Sequence, residues 1–344
     1  MQTAVKSAEI TSIGRAIPEG CHPVFARFAH FVNCAPAENQ ASCPGRDADI
    51  HVFEHGEDVI GVTDLPDEGG AHTLVLSGLA AGWASRADML EVGADAIVFD
   101  GQVFPRAGAN VYRDAARIRA FAALPQREQS RRFALVQDVV CERAAPLSMA
   151  VVLDPARKQY FRGSFAEALS ARFLEGASAC RAGEYARAVR LLQGVGYGLT
   201  PSGDDFIAGM LYALHFAEPD AALCAHSERA QRASEPDALR AHPAHTVSCA
   251  AGSLPALDLA IRSTLCESAP MSRAFLKDAL EGRWPKRLRD AAESIAEHGS
   301  TDEDICAAAT RVLAHGATSG ADLLCGFLCA AMPAIALAAG TDAR

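Results

Sequence analysis

The residues best suited to chemistry stand between Gly194 and Leu211, read as Gly-Val-Gly-Tyr-Gly-Leu-Thr-Pro-Ser-Gly-Asp-Asp-Phe-Ile-Ala-Gly-Met-Leu. Glycines at alternate positions let backbone approach a ligand closely, because glycine tolerates positive φ and carries no Cβ. The apolar run that follows predicts a helix, whose first amides and positive dipole end suit an anion. Gly196, Gly198, Thr200, Ser202 and Gly203 are therefore the candidate ligand-binding residues, and Asp204 and Asp205 the candidate catalytic pair. The pattern returns late in the chain. Ser319-Gly-Ala-Asp-Leu-Leu-Cys-Gly326 matches Ser202-Gly-Asp-Asp-Phe-Ile-Ala-Gly209 at Ser, Gly, Asp and the last Gly, which adds Thr318, Ser319, Gly320 and Asp322 as ligand-binding candidates.

A purely structural reading stands beside this one. Ser202-x-x-Asp205 and Ser319-x-x-Asp322 both fit a capping box, in which the serine accepts from the third helical amide and the acid reaches back. A cap, however, requires neither the glycine run nor the second carboxylate, Asp204. The repeat also makes a geometric prediction. Gly209 and Gly326 each lie seven residues after their serine, two turns into a helix. Small residues there would let two helices pack closely with their starts side by side, and two starts aimed together bind an anion better than one. Asp204 and Asp205 would repel a bare anion. Such a site calls either for a cation such as Mg²⁺ or for an amide or carbamoyl ligand whose N–H groups the carboxylates grip.

Gly-x-Gly-Leu-Thr-Pro-Ser-x-Asp-Asp before an apolar helix, with Thr-Ser-Gly-Ala-Asp-Leu-Leu-x-Gly near the C-terminus, resembles the family of the AllH subunit of oxamate carbamoyltransferase. The resemblance covers mainly residues 190 to 330. It implies a place in allantoin-derived nitrogen metabolism and purine degradation. The implied reaction moves a carbamoyl group between phosphate and oxamate, giving oxalurate in one direction, within a multi-subunit enzyme. The chain departs from related sequences in two places. Their Thr-Thr pair is Ser268-Ala269 here, and their histidine before Thr-Ser-Gly is Ala317, with His315 two residues earlier.

Carbamoyl transfer from an anhydride needs positive potential at the phosphate and donors at the carbonyl oxygen, which glycine amides and helix starts can supply. Other chemistries fit less well. His242 and His245 lie in a polar stretch without a third metal ligand, and His51 and His55 flank a turn. Ser202 stands in no Gly-x-Ser-x-Gly elbow. The glycines precede no Gly-Lys-Ser/Thr, and a helix rather than a strand precedes them, which excludes a P-loop and a dinucleotide fingerprint.

Of the 344 residues, 50% are apolar, ample for a core, and the net charge of −10 argues against a nucleic-acid partner. The 11 cysteines are scattered without Cys-x-x-Cys and no secretion signal is legible, so a reducing, cytoplasmic setting is expected. Leu323 to Ala339 is apolar but falls short of the ~20 residues of a membrane span, and is read as a buried helix breaking near Pro333. Cys325 and Cys329 within it are read as core.

Along the chain, strands are expected at Asp49–Glu54, Val59–Thr63, His72–Leu76, Ala96–Asp100, Gln102–Phe104, Phe133–Cys141 and Ser148–Leu153, with a helix at Asn110–Leu124. Beyond Pro155 the spacing turns helical, with helices at Phe165–Ala182, Glu184–Gln193, Asp204–Phe216, Leu254–Leu265, Ser272–Glu281, Leu288–His298, Asp302–Ala314 and Ala321–Ala331, and a loop within Glu218–Ala244. The expected fold is α+β: a β-rich N-terminal domain over 1–154 and an α-helical domain over 155–344 carrying both motifs. Three functions follow: a subunit of a carbamoyl-transferring enzyme binding a small anionic substrate and partner subunits; a non-catalytic scaffold or sensor; and a stand-alone Mg²⁺-dependent carboxylase- or lyase-like enzyme.

Overall fold

The computed structural model describes residues 9–35, 59–113, 124–217 and 269–341, together with Leu257, Ala260 and Ile261. The strand expected at Asp49–Glu54, the loop within Glu218–Ala244, His51, His55, His242, His245 and most of the helix expected at Leu254–Leu265 lie outside the described residues. The chain is α+β and divides into two compact units, Met1–Ala115 with Arg283–Arg289, and Ala116–Gly282 with Asp290–Arg344.

The first unit is built on eight strands: β1 (Glu9–Ile13), β2 (Gly20–Arg27), β3 (Phe31–Cys34), β4 (Ile60–Thr63), β5 (Thr73–Ser77), β6 (Met89–Val92), β7 (Ala96–Phe99) and β8 (Gln102–Pro105), with the one-turn helix α1 (Trp83–Arg86) between β5 and β6. They form one sheet in the order β1-β5-β4-β3-β2-β6-β7-β8. Every pairing is antiparallel except β4 with β5. Ile60, Val62, Leu74, Leu76, Leu90, Ile97, Phe99 and Phe104 line its core, and Trp83 meets Phe99 edge-on at 5.5 Å. The segment Arg283–Arg289 is tied in by Lys286 N donating to Gly69 O (2.8 Å), by Arg287 paired with Glu68 (2.9 Å) and by Tyr112 Oη donating to Trp284 O (2.9 Å). Strands were expected at β4, β5, β7 and β8; β1, β2, β3 and β6 carried no expectation. Asn110–Arg113, read as the start of a helix, is extended, with Val111 bridged to Ile13; residues 114–123 of that expected helix lie outside the described residues.

The second unit is helical: α2 (Gln126–Arg143), α3 (Ser164–Arg181), α4 (Tyr185–Leu192), α5 (Ser202–Ala217), α6 (Pro270–Leu280), α7 (Lys286–Ala296, whose first turn belongs to the other unit), α8 (Asp302–Leu313) and α9 (Ser319–Thr341). Two strand expectations are corrected here. Phe133–Cys141 lies inside α2, where buried Phe133, Val136 and Val140 recur at helical spacing. Ser148–Leu153 is a 3-10 turn, Met149–Val152, in which all four residues are buried; a run buried all round has no period to separate strand from helix. The helix also runs through Pro333 rather than breaking there, since a proline removes one helical hydrogen bond without having to end the helix. Among the described residues no helix is long and apolar enough to cross a membrane.

α5 and α9 form the centre of this unit, and their glycines fix the packing. A Cβ on Gly209 would fall 1.9 Å from Leu323 O, and a Cβ on Gly326 1.9 Å from Phe206 O. The two motif helices therefore run parallel, backbone against backbone, related by a local pseudo-twofold. Phe133 of α2 stacks on Phe327 (6.0 Å, 19°), and Phe216 sits edge-on to both rings. Gly209→Ala and Gly326→Ala must each push the helices apart and are expected to cost about 1–3 kcal/mol by urea denaturation. Gly299→Ala, where a Cβ meets nothing within 4 Å, should stay within about 0.5 kcal/mol; equal effects at all three positions would contradict the close-approach account.

Candidate functional site

The two motifs converge where α5 and α9 begin. Ser202, Asp204, Asp205 and Asp322 are each at most 2% exposed. Their contacts cross between the helices. Asp205 Oδ2 accepts from Thr200 Oγ1 at 3.3 Å, and the Ser319 hydroxyl of the other helix also lies against this carboxyl. Asp322 Oδ1 accepts from Met149 N at 2.5 Å, and its carboxyl is flanked by the hydroxyls of Thr318 and of Ser202 from the other helix. Each aspartate thus meets a threonine from its own helix start and the serine from its neighbour's.

This arrangement differs from the local capping box. Such a box exists at α8, where Asp304 N donates to Thr301 Oγ1 (3.2 Å) and Thr301 N to Asp304 Oδ2 (2.9 Å). At α5 the amides of Asp204 and Asp205 donate instead to Pro201 O, and Gly203 N to Val195 O (2.8 Å); at α9, Gly320 N donates to His315 O (3.0 Å). Gly203 and Gly320 are obliged to be glycine by the ends of the preceding helices, α4 and α8, because their Cβ positions would fall 1.9 Å from Leu192 O and Val312 O. The pseudo-symmetry of the sequence motif is thus repeated contact by contact.

Asp204 stands apart from the crossed pair. Its Oδ1 accepts from Gly194 N at 2.8 Å and so fastens the glycine loop onto α5. The hydroxyl of Ser272 from α6 lies against the same carboxyl and favours its charged form; Oδ2 of Asp204 and Oδ2 of Asp322 are both buried and, among the described residues, have no hydrogen-bond partner of ordinary geometry. In the loop, Gly194, Gly196 and Gly198 have φ of +71°, +132° and +94°. A Cβ on Gly196 would meet Ser202 N at 2.5 Å, whereas Gly198 stands at the exposed tip between Tyr197 and Leu199. Phe165 of α3, 65% exposed, packs edge-on against Tyr197 at 5.8 Å.

Burial dominates the electrostatics. Desolvation raises the Asp205 carboxyl well above the usual range, and nearby Asp322 adds to it, against the hydroxyls of Ser319 and Thr200. Desolvation likewise pushes Asp322 up to about 7, opposed by the Met149 amide and the Ser202 and Thr318 hydroxyls. Asp204 is raised by burial, with the Gly194 amide and Ser272 opposing. Beyond Asp322, burial raises the thiols of Cys180, Cys325 and Cys329, the last to about 11, so they are core groups rather than nucleophiles. Among the described residues no group of three His, Cys, Asp or Glu side chains is arranged to hold a metal ion.

The structure therefore brings together Thr200, Ser202, Asp205, Thr318, Ser319 and Asp322, uses Gly203 and Gly320 for close packing, and places Asp204, Gly196 and Gly198 on the loop side. Sequence reasoning missed two members. Met149 lay in a segment read as a strand, and Ser272 was seen only as the first residue of a helix; no spacing linked either to the motifs. Residues 192–331 match the family model described as oxamate carbamoyltransferase subunit AllH, which bears out over that stretch the resemblance drawn from the motifs. No curated protein and no solved structure matches the chain.

A pH dependence follows. Asp322 binds a proton in the folded chain up to about pH 7, while its ordinary value is 3.8. Its raised value therefore favours the folded state fully below the lower figure, and that contribution is lost as pH rises through the upper one. Unit 2 should lose stability between those pH values, by on the order of 4 kcal/mol from this group, and Asp322→Asn should flatten the slope. Melting temperatures across that range check this; an unchanged slope in Asp322→Asn would contradict it.

Proposed function

We propose that this chain acts as a component of a carbamoyl-transferring enzyme like the oxamate carbamoyltransferase whose AllH subunit residues 192–331 match, and that the Gly194–Thr200 loop binds the anionic group of the substrate. The observation that carries the reading is the alternation of positive φ at Gly194, Gly196 and Gly198. Alternating handedness turns successive amides toward one side and makes a concave anion nest. The N-terminus of α5 lies directly beneath, adding the positive end of its dipole. Because the amide of Gly203 is engaged by Val195 O, the anion belongs to the loop amides of residues 196–199 rather than to the helix start itself.

In the transfer, the carbamoyl carbon breaks its bond to a phosphate oxygen and forms one to the amide nitrogen of oxamate, whose proton ends on the departing phosphate. The loop amides stabilise the departing phosphate, the kind of preorganised donor set that acyl transfer needs. Asp204 is the carboxyl nearest the substrate, since its Oδ1 holds Gly194 N at the root of the glycine loop. Asp205 and Asp322 then act as positioning residues that hold the two helix starts together. The family name implies partner subunits, and these complete the enzyme. A scaffold role is the second reading, favoured by the fact that the crossed pairs satisfy one another without a ligand.

Thermal melting with phosphate, carbamoyl phosphate and oxamate separates the two. A ligand at about 100 times its Kd adds roughly 2.7 kcal/mol, a shift of a few degrees. We expect phosphate or carbamoyl phosphate to give that shift, and Gly198→Ala, strained at φ +94°, to abolish it. Gly163→Ala, equally strained at φ +88° but remote in sequence from the loop, should retain it. No shift, or one that survives Gly198→Ala, would favour the scaffold.

A further inference from the structure

The glycine loop is fastened at its root and nearly free at its tip. At the root, Gly194 N donates to Asp204 Oδ1 and Gly203 N to Val195 O, each at 2.8 Å, and Gly196 lies so close to α5 that a Cβ there would meet Ser202 N at 2.5 Å. Beyond Gly196 these restraints end. Among the described residues the amides of Tyr197, Gly198 and Leu199 donate no hydrogen bond, all three residues are exposed, and a Cβ on Gly198 would meet only Thr200 O, at 3.6 Å. What the tip rests on is the edge-on contact of the Tyr197 ring with Phe165 of α3 at 5.8 Å. Both rings stay largely in water, 51% and 65% exposed. An aromatic pair of this kind holds its rings together by a factor of only about 2–10. Tyr197 itself has an ordinary backbone between two glycines at φ +132° and +94°. Rotation at those glycines, which carry no Cβ, is enough to move the ring to another position.

We propose that Tyr197 is a gate on the anion nest, parked on Phe165 in one state of the loop and turned over the nest in the other, with a bound anion favouring the second. The inference rests on the anion-nest reading above and adds the regulation of that site by a residue within it. An anion engaging the loop amides draws the tip backbone around itself, and Tyr197 carries its ring with that backbone. The ring then keeps water from the anion, which strengthens the amide contacts and shields a reactive anhydride from hydrolysis. Its hydroxyl is a further donor for an anion oxygen. Phe165 works against closure. Only the closed fraction binds with full affinity, so every factor by which parking is favoured is lost from the apparent affinity. A residue that merely supported the nest would act in the opposite direction. The sign of the Phe165 effect therefore separates a parking place from a structural support.

Calorimetric titration of the full chain with inorganic phosphate tests it, in the wild type, Phe165→Ala, Tyr197→Ala and the double variant. Phe165 is largely exposed and Tyr197 has no positive φ, so alanine fits at both positions, and circular dichroism checks the fold. Phe165→Ala should tighten phosphate about 2- to 10-fold, the factor that the parked contact withholds. Adding Tyr197→Ala to that variant should reverse the gain. In the Tyr197→Ala background, Phe165→Ala should change nothing, because no ring is left to park. Phosphate binding that Phe165→Ala weakens or leaves unchanged would overturn the gate and leave the anion nest standing. So would a gain that persists without Tyr197. Phosphate binding by none of these proteins would overturn the nest and the gate with it.

Discussion

Two helices can lie with their backbones in contact only where neither carries a side chain between them, and the second unit of this protein is organised around one such contact. At Gly209 and Gly326 even a methyl group would collide with the partner's carbonyl oxygen. The closeness has a direct consequence two turns earlier. It brings the first residues of α5 and α9 near enough for Ser202 to reach Asp322 and for Ser319 to reach Asp205. Wider helices would each cap themselves, as α8 does with Thr301 and Asp304. The small residues thus set which hydrogen bonds the polar residues can make.

The same contact places the burial cost. Three carboxyls are withdrawn from water at one spot, and burial raises all of them. Hydroxyls and backbone amides offset part of this for Asp205 and Asp322. For Asp204 the Gly194 amide and the Ser272 hydroxyl do the same, and it is the one that holds the glycine loop.

Much of this was legible in the sequence. The repeat of Ser, Gly, Asp and Gly at matching offsets predicts two helices with small residues facing each other, and they pack in that way. The α+β organisation was legible from strand-like runs early and helical spacing late. What failed did so for identifiable reasons. Phe133–Cys141 is rich in β-branched residues, yet Phe133, Val136 and Val140 lie on one helical face, and tertiary burial overrode local propensity. A serine three residues before an aspartate reads as a local cap; nothing in that spacing tells whether the acid turns to its own helix start or to a neighbour's. Met149 and Ser272 reach the site only through the folding of distant segments, and their own sequence surroundings carry no mark of it.

The central claim is that hydroxyl and carboxyl groups cross between α5 and α9. A double-mutant cycle on Ser202→Ala and Asp322→Asn, measured by urea denaturation near pH 5 and again near pH 8, tests it most directly. The account predicts a coupling energy of about 1 kcal/mol or more, changing with pH as the Asp322 carboxyl loses its proton. Two substitutions whose effects simply add at both pH values would contradict it, because the serine and the aspartate would then be serving their own helices alone.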